Sequence, residues 1–221
     1  MDKVLVGFDF SMNKPAATIQ YNGQYYHYFW PLNLTAKQQK MYEDADVFVQ
    51  NRQLSSIDKK NIENSQLVLI HTIRSTDLAN LIINDLDDLI QNKLQLVEYE
   101  LYVCSEGLSY ASKGDATLNL ATYKGVLLSK IYEHYGDHLC RLFTYSPITL
   151  KSTAGCAGKK DIKDTKKTKM IDKFAQTTVD TKLRKCISNG LMKAKSNYIP
   201  GIDDIVDSYW ALQTMIKKEN I

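Results

Sequence analysis

No apolar run in the 221-residue chain approaches the roughly 18 residues that suggest a membrane span. The N-terminus, MDKVLVGFDF, carries only a short apolar stretch before an acid, which is not a signal-peptide pattern. The four cysteines, Cys104, Cys140, Cys156 and Cys186, form no CxxC pair and show no zinc-ligand spacing. These absences predict a reduced, intracellular chain with ordinary thiols and no membrane partner, and a cytoplasmic location. His134 and His138 lie four apart, but no Glu follows His134 and Gly136 falls between them, so a zinc-protease helix is not expected. Internal repeats are absent too. Hydrophobic residues at 44% and charged residues at 24% match a soluble globular protein and exclude bulk disorder and collagen-like architecture. The length predicts one domain over residues 1–221, with an insertion or helical excursion around residues 35–65.

Charge of one sign is scarce overall, with a net of +3, but it is unevenly placed. Between Leu150 and Lys195 twelve Lys and one Arg face four Asp, a local net of +9. The rest of the chain has fifteen basic and twenty-one acidic residues, a net of −6. A basic block on an otherwise acidic protein is either the footprint of a polyanion partner or a solvated Lys-rich surface.

Periodicity orders the elements. Val4 to Phe10 (VLVGFDF) is a run of β-formers and predicts a buried strand. Ala16 to Tyr21 and Tyr25 to Trp30 flank Asn22-Gly23, a strong hairpin signal. Leu78, Leu81, Ile82, Leu86, Leu89 and Ile90 recur at three- and four-residue steps and predict a helix in the second half of 67–92. Gln95 to Cys104 reads as a strand, Ala116 to Tyr135 as a helix that Asp115 can cap, and Leu139 to Tyr145 as a further strand. A Gly/Lys-rich loop from Ser152 to Lys160 follows, then helices over 166–175 and 203–217. Three antiparallel strands followed by β-α-β crossovers predict an α/β fold, a five-stranded mixed sheet flanked by helices. That is the ribonuclease H-like arrangement.

The acids carry the chemistry. Asp9 interrupts an apolar strand near its end, and Glu106 follows the fourth predicted strand. Asp204 and Asp207, three apart on the last helix, share one face; Asp203 beside them is expected to cap that helix. Singly, each acid has an ordinary structural explanation. Together they fall where this fold can bring strand ends and the last helix to one spot. Four carboxylates there repel unless cations neutralise them. Hard oxygen donors suit Mg2+, with Mn2+ as substitute, and two such ions can activate water and stabilise the leaving oxygen of a phosphodiester. The basic block then supplies a phosphate-binding surface.

GFDFS at 7–11, SEGLSYASKGDATLNLATYKGV at 105–126, TLKSTAGCAGKKDIKDTKKTKMI at 149–171 and DDIVDSYWAL at 203–212 resemble the RuvC-type Holliday-junction resolvases. The central block is the most specific, with Glu106, Ala111, Asp115, Leu118, Leu120, Lys124 and Gly125 at spacings similar to the family's. The likeness is weakest between about Thr35 and Asp77, where the chain is longer than typical bacterial members; a phage-encoded branch fits such an insertion.

The resemblance implies a magnesium-dependent endonuclease that cuts four-way or other branched DNA, with two ions held by Asp9, Glu106, Asp204 and Asp207. It implies Lys151 and Lys167 at the scissile phosphate, with Lys159, Lys160 and Lys166 competing for the second role. It also implies DNA contacts from Tyr110, Lys113, Lys159, Lys160, Lys166 and Lys169. A homodimer is expected, with its interface on the 116–135 helix and the 67–92 region. The family's wedge aromatic lies three residues after the glutamate; here that position is Ser109, and Tyr110 follows. Other readings of the same acids are a nuclease acting on an RNA–DNA hybrid or a packaging intermediate, and a non-catalytic DNA-binding module. An actin- or sugar-kinase-like ATPase also opens with a strand carrying Asp, but no later D-x-G followed by Ser or Thr is present.

Overall fold

In the computed structural model, residues 1–53, 63–108, 115–138, 141–156, 166–190 and 199–221 are described. Strand β1 (Asp2–Asp9) pairs antiparallel with β2 (Ala16–Tyr21), which pairs antiparallel with β3 (Gln24–Phe29). Asn22 and Gly23 make the turn between β2 and β3 with φ of 48° and 77°, the left-handed conformation that Asn-Gly hairpins adopt. Helix α1 (Ala36–Glu43) begins with a capping box between Thr35 and Gln38. It leads to β4 (Val47–Val49), which lies parallel to β3. With β5 (Tyr99–Glu106) and β6 (Arg141–Tyr145), the sheet is mixed and six-stranded, in the order β4-β3-β2-β1-β5-β6.

The five expected strands are therefore present, and β4 is a sixth. Three residues are too few to show a strand period, which is why the polar stretch around it reads as an insertion. The predicted strand at Gln95 starts later, at Tyr99, because Gln95 takes a left-handed φ of 55° and the Leu96 amide bonds back to the Ile90 carbonyl.

Two compact units share these residues: Met1–Val4, Leu54–Val103 and Leu108–Leu142 in one, and Leu5–Gln53, Cys104–Gly107 and Phe143–Ile221 in the other. In the first, helix α2 (Asn64–Asp87), extended by a π turn over Asp88–Lys93, packs on helix α3 (Asp115–Tyr135). Ile82, Leu86, Leu89 and Ile90 are buried there, as are Leu127, Ile131 and Tyr135. Asp87 ties the two helices, accepting from the Tyr135 hydroxyl at 2.7 Å and lying 2.8 Å from His134 Nε2. His134 thus ends a helix, as the sequence suggests, and Asp87 is its partner.

The second unit holds an apolar cluster that includes Phe29, Tyr42, Phe174, Tyr209 and Trp210. Helix α4 (Pro147–Thr153) starts at Ser146, whose hydroxyl accepts from the Thr149 amide, with Pro147 in the first turn. Helices α5 (Lys166–Thr177) and α6 (Thr181–Gly190) follow, then α7 (Ile202–Glu219). Both α4 and α5 pack against α7. Ile202, Ile205, Val206, Tyr209, Trp210, Leu212 and Met215 of α7 are all buried. Each fully buried aliphatic or aromatic of this kind contributes roughly 1.5–3 kcal/mol, so apolar burial is what docks α7. The Trp210 Nε1–H donates to the Met170 carbonyl at 3.2 Å, and the Phe174 ring meets Tyr209 edge-on at 4.7 Å. Among the described residues, no helix is long and apolar enough to cross a membrane.

Candidate active site

The second unit contains all four candidate acids. Asp9 is the last residue of β1, Glu106 the last of β5, and Asp204 and Asp207 lie on α7; each is half-buried. Two glycines make room for this. A Cβ on Gly7, within β1, would lie 2.3 Å from the Ser208 carbonyl oxygen and 2.6 Å from the Leu212 amide nitrogen, so only glycine lets α7 lie this close to β1. Gly107, next to Glu106, donates its amide to the Tyr145 carbonyl at 2.6 Å and ties the end of β5 to β6.

The N-cap of α7 is Gly201, with φ of 100° and its Cα against the Phe29 ring. Asp203 therefore does not cap the helix. It stands with Asp204 inside the first turn, where the helix dipole favours an acid.

The Asp9 carboxyl is held well above the usual carboxylate range. Burial is the largest cause; the negative charges of Asp204, Asp207 and Glu106 follow in that order, and a hydrogen bond to Asp204 adds to them. All five influences push the same way, and Asp204, Asp207 and Glu106 each act on Asp9. They favour a protonated Asp9 that donates to Asp204. A divalent cation reverses this by neutralising the group, and oxygen donors of this kind fit Mg2+ or Mn2+. Among the described residues no three His, Cys, Asp or Glu side chains are already closed around one point as a metal cage.

Lys151 lies in the last turn of α4, and Lys169 lies in α5; both are half-exposed. The leading influences on Asp9 are burial and acids, not these lysines. Their helices, α4 and α5, both pack on α7, the element that carries Asp204 and Asp207. Lys166 and Lys167 open α5, but their side chains lie outside the described residues, as do Tyr110, Lys113, Lys159 and Lys160 entirely.

Gly7, Thr18, His27 and Ser208 were not singled out from the sequence. A glycine inside an apolar strand is the one available signal, marking a close backbone approach. Thr18 Oγ1 lies 2.9 Å from Ser208 Oγ and 3.1 Å from His27 Nδ1, all of them buried.

A mixed six-stranded sheet flanked by helices is the ribonuclease H-like arrangement. No protein-family model matches the chain, and no curated protein matches its sequence. Among solved structures, the yeast mitochondrial Holliday junction resolvase Ydc2 is similar with a TM-score of 0.50 and 14% identity, over 96% of this chain and 77% of that one. Thermus thermophilus RuvC matches at 9% identity, alone and in complex with Holliday junction substrate. Its TM-scores are 0.42 and 0.43, over 98% of this chain and 96% and 95% of those. At these identities the likeness is one of fold.

Proposed function

We propose that the chain is a single-domain, metal-dependent endonuclease that cuts branched DNA, four-way junctions above all. The observation that carries this is the electrostatic crowding on Asp9, where burial and three further acids disfavour its charge. A stable fold has little reason to gather four carboxylates at two strand ends and one helix unless cations complete the set. The fold likeness to a Holliday junction resolvase and the +9 block between Leu150 and Lys195 support the same reading.

On this proposal Asp9, Glu106, Asp204 and Asp207 hold Mg2+, or Mn2+ in its place, as a pair of ions. When bound, such ions supply Lewis-acid activation of water and charge stabilisation at the phosphate. Asp9 stands at the end of β1, while α7 presents Asp204 and Asp207 from one helical face. Lys151 and Lys167 neutralise the scissile phosphate, and Lys159, Lys160, Lys166 and Lys169 track the DNA backbone with Lys113 and Tyr110.

Two cuts in symmetry-related strands call for two copies of the chain. Val68, Leu69 and Ile73 of α2 are 66%, 59% and 50% exposed, and Leu118 and Tyr132 of α3 are 68% and 63% exposed. These apolar residues favour that helix pair as the homodimer surface.

The test is magnesium-dependent cleavage of a synthetic four-way junction beside linear duplex and RNA–DNA hybrid. Preferential cutting of the junction is expected. Equal cutting of hybrid and junction points to a ribonuclease H-like enzyme with another substrate.

A further inference from the structure

One row of residues crosses the sheet beneath α7. The strand register sets Gly7 opposite Thr18, and Thr18 opposite His27. Directly opposite residues share a face, and here it is the face that α7 covers. At Gly7 the missing side chain admits the backbone of Ser208. At Thr18 the hydroxyl reaches the Ser208 hydroxyl at 2.9 Å, and behind Thr18 stands His27 Nδ1 at 3.1 Å.

The donors of this row can be assigned. Ser208 Oγ–H donates to the Ile205 carbonyl at 2.7 Å, one turn back on the same helix. With that proton committed, the Ser208 oxygen accepts from Thr18. The Thr18 oxygen then accepts from His27 Nδ1–H. The hydrogen bonds run in one direction, from His27 through Thr18 and Ser208 to Ile205. His27 Nε2 is left without a hydrogen bond and faces Asp180 Oδ2 at 3.7 Å. Asp180 uses its other oxygen to accept from the Leu183 amide at 2.8 Å, at the start of α6.

We infer that Thr18 is a positioning residue: oriented by His27, its hydroxyl sets the register of α7 through Ser208 and so places Asp204 and Asp207 opposite Asp9. Ser208 follows Asp207 directly and lies one turn beyond Asp204. Apolar burial docks α7 but is non-directional, and a slide by one residue is only about 1.5 Å along the axis. The close contact at Gly7 limits how near the helix comes to the sheet, and the directional bond at Thr18 limits where along the sheet it stops. Groups that orient metal-binding side chains in this way affect the site without touching the ion. The inference rests on the proposed metal-dependent nuclease.

Its test uses the full chain with Thr18→Val, which keeps the branched shape and strand preference and removes the hydroxyl, and Thr18→Ser, which returns it. Three quantities are measured: Mn2+ affinity by calorimetry without DNA, the His27 tautomer by 15N NMR, and the kcat and Kd for a four-way junction. The expected result is an Nδ1–H tautomer in the unaltered protein. Thr18→Val is expected to weaken Mn2+ binding and lower kcat by about tenfold each, with junction affinity in metal-free buffer unchanged and most of the loss recovered in Thr18→Ser. Should Thr18→Val fail to fold, Ser208→Ala interrupts the same row and carries the same expectation. A variant that melts earlier but keeps its Mn2+ affinity and kcat overturns the inference, and so does an Nε2–H tautomer. If Mn2+ binding weakens as expected while the unaltered protein cuts no branched DNA, the positioning role stands and the nuclease assignment falls. An unaltered protein that binds no Mn2+ removes both.

Discussion

Asp9 and His27 are ionisable groups of the same unit that burial pushes toward neutrality, and their surroundings give them opposite meanings. Burial is the leading cause at each, raising the Asp9 carboxyl and lowering the His27 imidazole to about 4. Around His27 the one charged influence, from Asp180, opposes burial, and a threonine hydroxyl occupies the other ring nitrogen. Burial favours a neutral imidazole there, with Nδ1 bonded and Nε2 without a hydrogen bond. Around Asp9 three further acids reinforce burial, so a proton or a cation is what relieves the crowding. Burial alone does not distinguish a functional group from a structural one. Crowding by like charge does.

The largest break in that comparison comes from the acids themselves. Asp9→Asn, Glu106→Gln, Asp204→Asn and Asp207→Asn are each expected to lower junction cleavage at least about a thousandfold, the loss of several kcal/mol of transition-state stabilisation. Junction affinity in metal-free buffer, measured by fluorescence anisotropy, is expected to survive, because ions and not DNA engage these groups. A variant that cuts at the normal rate removes its residue from the site.

The lysines come next. Lys151→Ala and Lys167→Ala are expected to remain folded by circular dichroism and to cut about a hundredfold more slowly, the size of one lost electrostatic contact in a reaction centre. Full-rate cleavage by Lys167→Ala moves the role to Lys166 or Lys160.

Gly7 sharpens the geometry. Gly7→Ala drives a methyl into backbone atoms of Ser208 and Leu212, which cannot rotate away as a side-chain tip can. Overpacking of this kind costs about 1–3 kcal/mol, and α7 has to shift to relieve it. Gly125 in α3 has nothing within 4 Å of an added Cβ, so Gly125→Ala is the control and is expected to leave stability unchanged or slightly raised. Urea unfolding of both variants checks the pair; equal midpoints would mean that the close approach of β1 and α7 is not tight.

The sequence already showed the parts of the site that interrupt a pattern. Asp9 is conspicuous inside VLVGFDF, Glu106 follows a strand, and Asp204 and Asp207 share a helical face. The Asn22-Gly23 turn and the long helices were equally legible, because local chemistry and period determine them. Short elements were not. Strand β4 has three residues, and α4 begins at Ser146-Pro147, a pair that reads as a strand end and also serves as a helix start. Helix α6 went unread within the basic block. The row from Gly7 to His27 depends on the register of three strands and on where a helix 190 residues from Thr18 comes down. No local pattern carries that information.

The smallest effect is on stability, and it tests the opening comparison by sign. His27 falls from an ordinary 6.5 to about 4 in the folded chain. Between those values the unfolded chain binds a proton that the native one does not, so stability is lost as pH falls from 6.5 toward 4, by at most about 3 kcal/mol. Asp9 works the other way. Its folded value lies above the ordinary carboxylate range, so the native state binds the extra proton, and stability is lost as pH rises through the raised value. In chelator the two trends therefore oppose each other as pH rises from about 4. Between about pH 4.5 and 6.5 the melting temperature is expected to rise more steeply with pH in Asp9→Asn than in the unaltered protein, and to fall relative to it in His27→Gln. Adding Mg2+ at pH 8 is expected to raise the melting temperature of the unaltered protein and not that of Asp9→Asn, because only the unaltered site gains by binding the ion. An Asp9→Asn curve parallel to the unaltered one would show that Asp9 carries no excess proton, and the crowding that sets it apart from His27 would be lost as an explanation.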